Sequence, residues 1–139
     1  MAAEPLPVSL VVPCRNEAAN LEILLPRLTG FARELIIVDG HSTDRTRELA
    51  IANGAVYVLD NGRGKGDGLR VGLTRASEAV CVFMDADLSH DPADIPKLVK
   101  PILDGQADLV LGSRMRGGGD EFVATFFELV RPAGNMGLT

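Results

Sequence analysis

Asp85 and Asp87 stand one residue apart where the apolar run Val82-Phe83-Met84 ends, in the stretch VFMDADLSHDP. Carboxylates at i and i+2 on extended backbone project to the same side. Together they suit a hard divalent cation, which completes its shell with water and substrate phosphate oxygens. The pair therefore points to Mg2+ or Mn2+ and to a phosphorylated substrate. Taken alone, Asp-x-Asp can equally be a turn leading into a helix at Pro92, with Asp91 as that helix's cap.

Other residues with chemical potential lie at similar places. NGRGKGDG, residues 61–68, sets Arg63 and Lys65 among closely spaced glycines, a loop able to approach phosphates or simply a solvated one. It is no Walker A loop, because Gly66 follows Lys65 where Ser or Thr is needed, and no GxGxxG follows the first apolar run. Arg114, in LGSRM, offers a second cation, with a surface ion pair as the competing role. Asp39 closes the run LIIVD, where its carboxylate can accept from the N–H of a nucleotide base or form an Asx-turn into the next helix, which Asp44 also helps to cap. Pro13 ends the first apolar run, and Asn16 and Glu17 follow it at the start of a helical segment, where capping is their alternative role. His41 and His90 read as turn residues, His90 lying three positions after Asp87.

What positions these groups is an alternation of short apolar runs with helical periodicity. Strands are predicted over 8–12, 35–38, 55–59, 79–84 and 107–111. Helices are predicted over 17–28, with Leu21, Leu24, Leu25 and Leu28 on one face, and over 43–53, 66–77 and 92–103. RGGGD, residues 116–120, breaks the pattern, and 121–130 reads as a further helix with Phe122, Phe126, Phe127 and Val130 along one side. This is an α/β arrangement with a mostly parallel sheet covered on both faces. In such open sheets ligands bind beyond the carboxyl ends of the strands, which is where every candidate above falls.

Composition narrows the partners. The 139 residues are 46% hydrophobic and 24% charged with a net charge of −5, enough for a single core. Lys and Arg are scattered, which argues against nucleic acid. Cys14 and Cys81 have no CxxC or His cluster around them and are expected as free thiols. No basic residue precedes the apolar run Val8 to Val12, so no signal peptide is expected, and nothing approaches the roughly 20 apolar residues of a membrane helix.

Five segments in order, SLVVPCRNEAANLEILLPRL, ELIIVDGHSTDRT, GRGKGDGLRVGL, VFMDADLSHDPADIPKLV and ADLVLGSRMRGGG, together resemble the family 2 glycosyltransferases and, among them, the dolichol-phosphate mannose synthase-like branch. The resemblance covers about residues 8 to 119. It implies the GT-A fold, a Rossmann-like three-layer α/β/α structure, here incomplete at its C-terminus. Residues 1–7 would be an extension, 8–119 the donor-binding core and 120–139 the opening of an acceptor-side region. It also implies metal-dependent inverting transfer of a sugar from a GDP- or UDP-sugar to an acceptor, a polyprenyl phosphate in this branch, at the cytoplasmic face of a membrane reached through the missing C-terminal part. On this resemblance Pro13, Asn16, Glu17 and Asp39 hold base and ribose. Asp85 meets the donor, Asp87 is the surer metal ligand, and Lys65 and Arg114 lie near donor base or phosphates. Ser89, two residues after the motif, stands where some members place a third metal contact.

Two departures stand out. The family's DDGS reads DGHS, so Gly40 replaces the second acid, and no general base is identifiable before the chain ends at Thr139. A phosphate acceptor is already anionic and needs none. Two alternatives compete with transfer. The chain as given would bind donor without transferring the sugar, or DxDxS would be the nucleophile motif of a haloacid dehalogenase-like phosphatase using Asp85. The latter is disfavoured because that motif belongs on a first strand and no GDxxxD follows.

Overall fold

The computed structural model describes residues 4–106 and the backbone of residues 128–130. Four parallel strands form the centre: β1 (Leu6–Cys14), β2 (Ala32–Asp39), β3 (Val56–Leu59) and β4 (Cys81–Phe83). They are joined by α1 (Ala18–Leu28), α2 (Thr46–Ala52) and α3 (Lys65–Arg75), and α4 (Ile95–Leu103) follows β4 after a single 3-10 turn at Pro92–Asp94. The spatial order is β3-β2-β1-β4-β5, the last being Glu128–Val130. The chain thus winds outward from β1 to β3 and then returns to the other side of β1 at β4, a reversal that opens a crevice at the strand ends.

Side-chain alternation explains the layers. Val8, Leu10 and Val12 of β1 join Ile37, Val82 and Met84 on one face, against Leu21, Leu24, Leu25 and Leu28 of α1 and Ile95, Val99 and Ile102 of α4. Each of these buried aliphatic side chains contributes about 1.5–3 kcal/mol. Val11, Ile36, Val38, Cys81 and Phe83 point the other way, against Leu69, Val71 and Leu73 of α3. Both faces of the parallel sheet are covered, as its near-continuous apolar strands require.

Helix α3 lies very close to the sheet. A Cβ added at Gly72 would sit 2.3 Å from Val11 Cγ1, so only hydrogen fits there. Part of the glycine-rich stretch is therefore helix packed against β1 instead of loop. Helix α2 begins at Thr46, three residues later than its sequence suggests, because Asp44 ends the preceding loop by accepting from Thr46 N (2.9 Å) and Thr46 Oγ1 (2.5 Å). Asp91 does cap the turn before α4, accepting from Ala93 N.

One expectation is corrected. Residues 128–130, read as the end of a helix, form β5 and pair antiparallel with β4, Cys81 opposite Val130 and Phe83 opposite Glu128. The open side of β4 offers a row of unpaired backbone groups, and filling that row outweighs the local helical period. The strand expected over 107–111 and the rest of the 121–130 segment lie outside the described residues. Among the described residues no helix is long and apolar enough to cross a membrane.

Candidate functional site

The loops at the carboxyl ends of the four parallel strands surround a cavity of ≈ 390 Å³. Its floor is β1: Pro13 and Cys14 line it, and the following Asn16 takes a left-handed backbone (φ 53°) that turns the chain into α1. That turn is fastened to the loop after β2. Asn16 N donates to Ser42 Oγ (2.7 Å), Asn16 Oδ1 accepts from Thr43 N (2.8 Å), and Asp44 Oδ2 accepts from Ala18 N at the start of α1 (3.0 Å). Glu17 holds the N-cap position of α1 without a side-chain cap bond, and Asp44 supplies that bond from the neighbouring loop. Those bonds hold the Asp44 carboxyl below the usual range, the Thr46 hydroxyl contributing most.

Asp39, at the end of β2, is buried, and both of its oxygens are engaged. Oδ1 accepts from Ser42 N (3.0 Å) and Ser42 Oγ (2.6 Å), while Oδ2 accepts from the Tyr57 hydroxyl. Burial, and then this bond to a carboxylate, push the Tyr57 phenol up to about 12, so it remains a donor. The Arg47 guanidinium covers the Tyr57 ring at 5.6 Å from its centroid. Asp39 therefore keeps one fixed orientation beside the cavity.

Lys65 is the first residue of α3, and the turn before it is held from within the helix. Asp67 accepts from Asn61 N (2.7 Å) and Asn61 Nδ2 (2.9 Å), which keeps its carboxyl below the usual range. Gly62 and Gly64 adopt φ of 75° and 101°, which a side chain would strain. As a result the N-terminal end of α3 and the Lys65 ammonium face the cavity, and Lys65 Nζ reaches Asp85 Oδ1 at 2.5 Å. A helix N-terminus beside an ammonium is a favourable place for phosphate.

Asp85 and Asp87 extend from β4 into the same cavity. The Asp85 N–H donates to Nδ1 of the buried His90 (3.3 Å). Asp87 Oδ1 accepts from Ser89 N (3.0 Å) and Ser89 Oγ (2.5 Å) in a tight turn that puts Leu88 at φ 68°. Burial pushes the Asp87 carboxyl up, but the Ser89 hydrogen bonds and the nearby His90 outweigh it and hold it below the usual range. The Ser89 hydroxyl is directed at Asp87, orienting that carboxylate. Among the described residues no group of three or more His, Cys, Asp or Glu is arranged to hold a metal. Two carboxylates opening on a cavity still fit a Mg2+- or Mn2+-type ion, which draws its remaining ligands from water and phosphate.

Of the residues expected from sequence, Pro13, Glu17, Lys65, Asp85 and Asp87 line this cavity together. Asn16 and Asp39 stand behind its wall and shape it, and Arg114 lies outside the described residues. The sequence reading missed Asp60, the residue directly after β3, whose side chain is only 8% exposed and lines the cavity. Its place at the end of a strand is a sequence signal, but the space beside it is made by Gly40 and Gly68, which only the packed structure brings together. Gly40 also lines the cavity, and a Cβ there would lie 3.5 Å from Asp60 Oδ2. Both cysteines are free, and burial pushes each thiol up to about 12, so neither is a nucleophile near neutral pH.

This strand order, with its acidic pair at the crevice, is the GT-A form of the α/β fold, and similarity to known proteins agrees. Residues 9–133 match the family described as Glycosyl transferase family 2, and the chain belongs to that family. The dolichol-phosphate mannosyltransferase of Pyrococcus furiosus is 41% identical over 121 residues, covering 81% of this chain and 34% of that protein. Glycosyltransferase AglJ of Haloferax volcanii is 38% identical over 113 residues, 79% of this chain and 37% of that protein. The chain thus spans little more than a third of these two relatives. Among solved structures, glucosyl-3-phosphoglycerate synthase from Mycobacterium tuberculosis in complex with UDP superposes with a TM-score of 0.73 at 29% identity, covering 91% of this chain and 57% of that one. The same enzyme with Mn2+, UDP-glucose and phosphoglyceric acid gives 0.62 at 36% identity, over 71% of this chain and 40% of that one.

Proposed function

We propose that residues 8–119 form the donor half of a metal-dependent, inverting glycosyltransferase that takes the sugar of a nucleoside diphosphate sugar and passes it to a polyprenyl phosphate. The observation that carries this reading is the convergence of Lys65, Asp85 and Asp87 on one cavity whose other wall, from β1 to β3, is of the right kind for a nucleoside. Pro13, Asn16, Glu17 and Asp39 shape the nucleoside end, and Lys65 with the start of α3 attracts the diphosphate. Asp87 and Asp85 would hold Mg2+ or Mn2+, and the ion would neutralise charge gathering on the departing nucleoside diphosphate. Arg114 is assigned to the same phosphates. Lys65 must exchange its bond to Asp85 for one to phosphate when donor enters.

The lipid-phosphate acceptor is supported by the name of the Pyrococcus relative and by chemistry, since a phosphate monoester attacks without a general base. The mycobacterial neighbours, solved with phosphoglyceric acid, mark a second kind of phosphate-bearing acceptor. We place the work at the cytoplasmic face of a membrane, with residues 120–139 opening the acceptor side. Incubating the protein, Mn2+ and radiolabelled GDP- or UDP-sugars with polyprenyl phosphate or with 3-phosphoglycerate tests this. Label in the organic phase supports the proposal, label only on phosphoglycerate refutes the lipid acceptor, and the anomer of the product decides inversion.

A further inference from the structure

Asp60 is unusual among the cavity's carboxylates. Its side chain is 8% exposed, and Oδ1 takes the Gly62 N–H (2.8 Å) and faces His41 Nε2 (3.4 Å). Oδ2 accepts no hydrogen bond among the described residues, and it lies between two glycines: Cβ atoms added at Gly40 and Gly68 would stand 3.5 Å and 3.6 Å from it. No side chain at either glycine crowds this oxygen. Oδ2 therefore faces the cavity with its lone pairs available, and a ligand N–H can take the place of water there.

Its position says which part of a ligand would reach it. Asp60 follows β3, whereas Asp85 and Asp87 follow β4 at the other end of the four parallel strands, with backbones three strand spacings apart, about 14 Å. With the diphosphate held at the β4 end, the far end of a nucleotide lies against Asp60. His41, on a left-handed backbone (φ 69°), holds the Asp60 backbone in place with Nε2 2.9 Å from its carbonyl oxygen.

We infer that Asp60 reads the donor's base and selects guanine over uracil, an inference that rests on the nucleotide-sugar reading of the cavity. Guanine presents a ring N–H beside an exocyclic amino group, two adjacent donors for one carboxylate. Uracil presents a single N–H between two carbonyl oxygens, whose lone pairs face the same negative charge. A charged hydrogen bond gained in one complex and a repulsion met in the other separate the two bases by at least about tenfold in affinity.

Calorimetric titration of the chain with GDP, UDP and inosine diphosphate in Mn2+ tests this, alongside Asp60→Asn checked for folding by circular dichroism. The expected result is GDP at least tenfold tighter than UDP, inosine diphosphate weaker than GDP for want of the amino group, and a GDP advantage lost in Asp60→Asn. UDP binding as tightly as GDP, inosine diphosphate equal to GDP, or an unchanged ratio in a folded Asp60→Asn overturns the assignment while leaving the nucleotide site standing. If no nucleotide binds, the nucleotide-sugar reading falls and the inference with it. The comparison of the three nucleotides on the unaltered protein decides the matter even if the variant does not fold.

Discussion

Lys65 and Asp85 form the shortest ion pair at the rim, 2.5 Å apart with the ammonium more than half exposed. Exposed pairs contribute about 0–1 kcal/mol, so the contact is better understood as a cation held ready for phosphate than as a stabilising brace. Lys65→Ala should leave the melting temperature nearly unchanged while weakening nucleoside-diphosphate affinity by about ten- to a hundredfold, read by titration calorimetry. Ser89 illustrates how far residue identity alone carries. The sequence places it two positions after Asp87, but that spacing cannot say whether its hydroxyl faces an ion or a neighbour, and the positive φ at Leu88 turns it back onto Asp87. Asp60 escaped notice for a related reason: its importance comes from the space left by Gly40 and Gly68, which are close only once β2, β3 and α3 have packed.

At the scale of elements, Glu34 joins three of them. From β2 it accepts from Ser9 Oγ in β1 (2.6 Å) and from Ser77 N (2.8 Å) and Oγ (3.0 Å) in the turn before β4. Burial pushes its carboxyl up, but these bonds, with Arg75 nearby, bring it below its ordinary value of 4.5. A carboxyl lowered in the folded state adds stability above its unfolded value, and that stability disappears as the pH falls through the folded one. Glu34→Gln should therefore cost on the order of 1 kcal/mol in urea denaturation at pH 7 and progressively less below pH 4.5.

Helix α3 gives a second test. Gly72→Ala should destabilise by about 1–3 kcal/mol despite alanine's better helix propensity, because Val11 must move. Gly66→Ala, with nothing within 4 Å of the added methyl, should be neutral or stabilise by up to about 1 kcal/mol in the same assay. Element type was largely legible from sequence because apolar period 2 and period 3.6 are local signals. The exceptions have non-local causes: β5 is a strand because β4 has an open side, and α2 starts late because Asp44 ends the loop before it.

At the scale of the molecule, the order β3-β2-β1-β4 decides where the function lies. It carries the strand-end residues to one crevice, so four individually weak motifs become one cavity. The sequence could supply the motifs and their order, but the distance from Asp60 to the acidic pair exists only once the strands are laid side by side. The central claim is that this cavity binds a nucleoside diphosphate through a metal held by Asp87 and Asp85. Its most direct test is thermal denaturation with GDP or UDP, with and without Mn2+, on the chain and on Asp87→Ala. At about a hundredfold excess over Kd, nucleotide with Mn2+ should raise the melting temperature by roughly 5–10 °C, with little rise when the metal is withheld or Asp87 replaced. An equal rise without metal, or one that survives Asp87→Ala undiminished, would contradict the account.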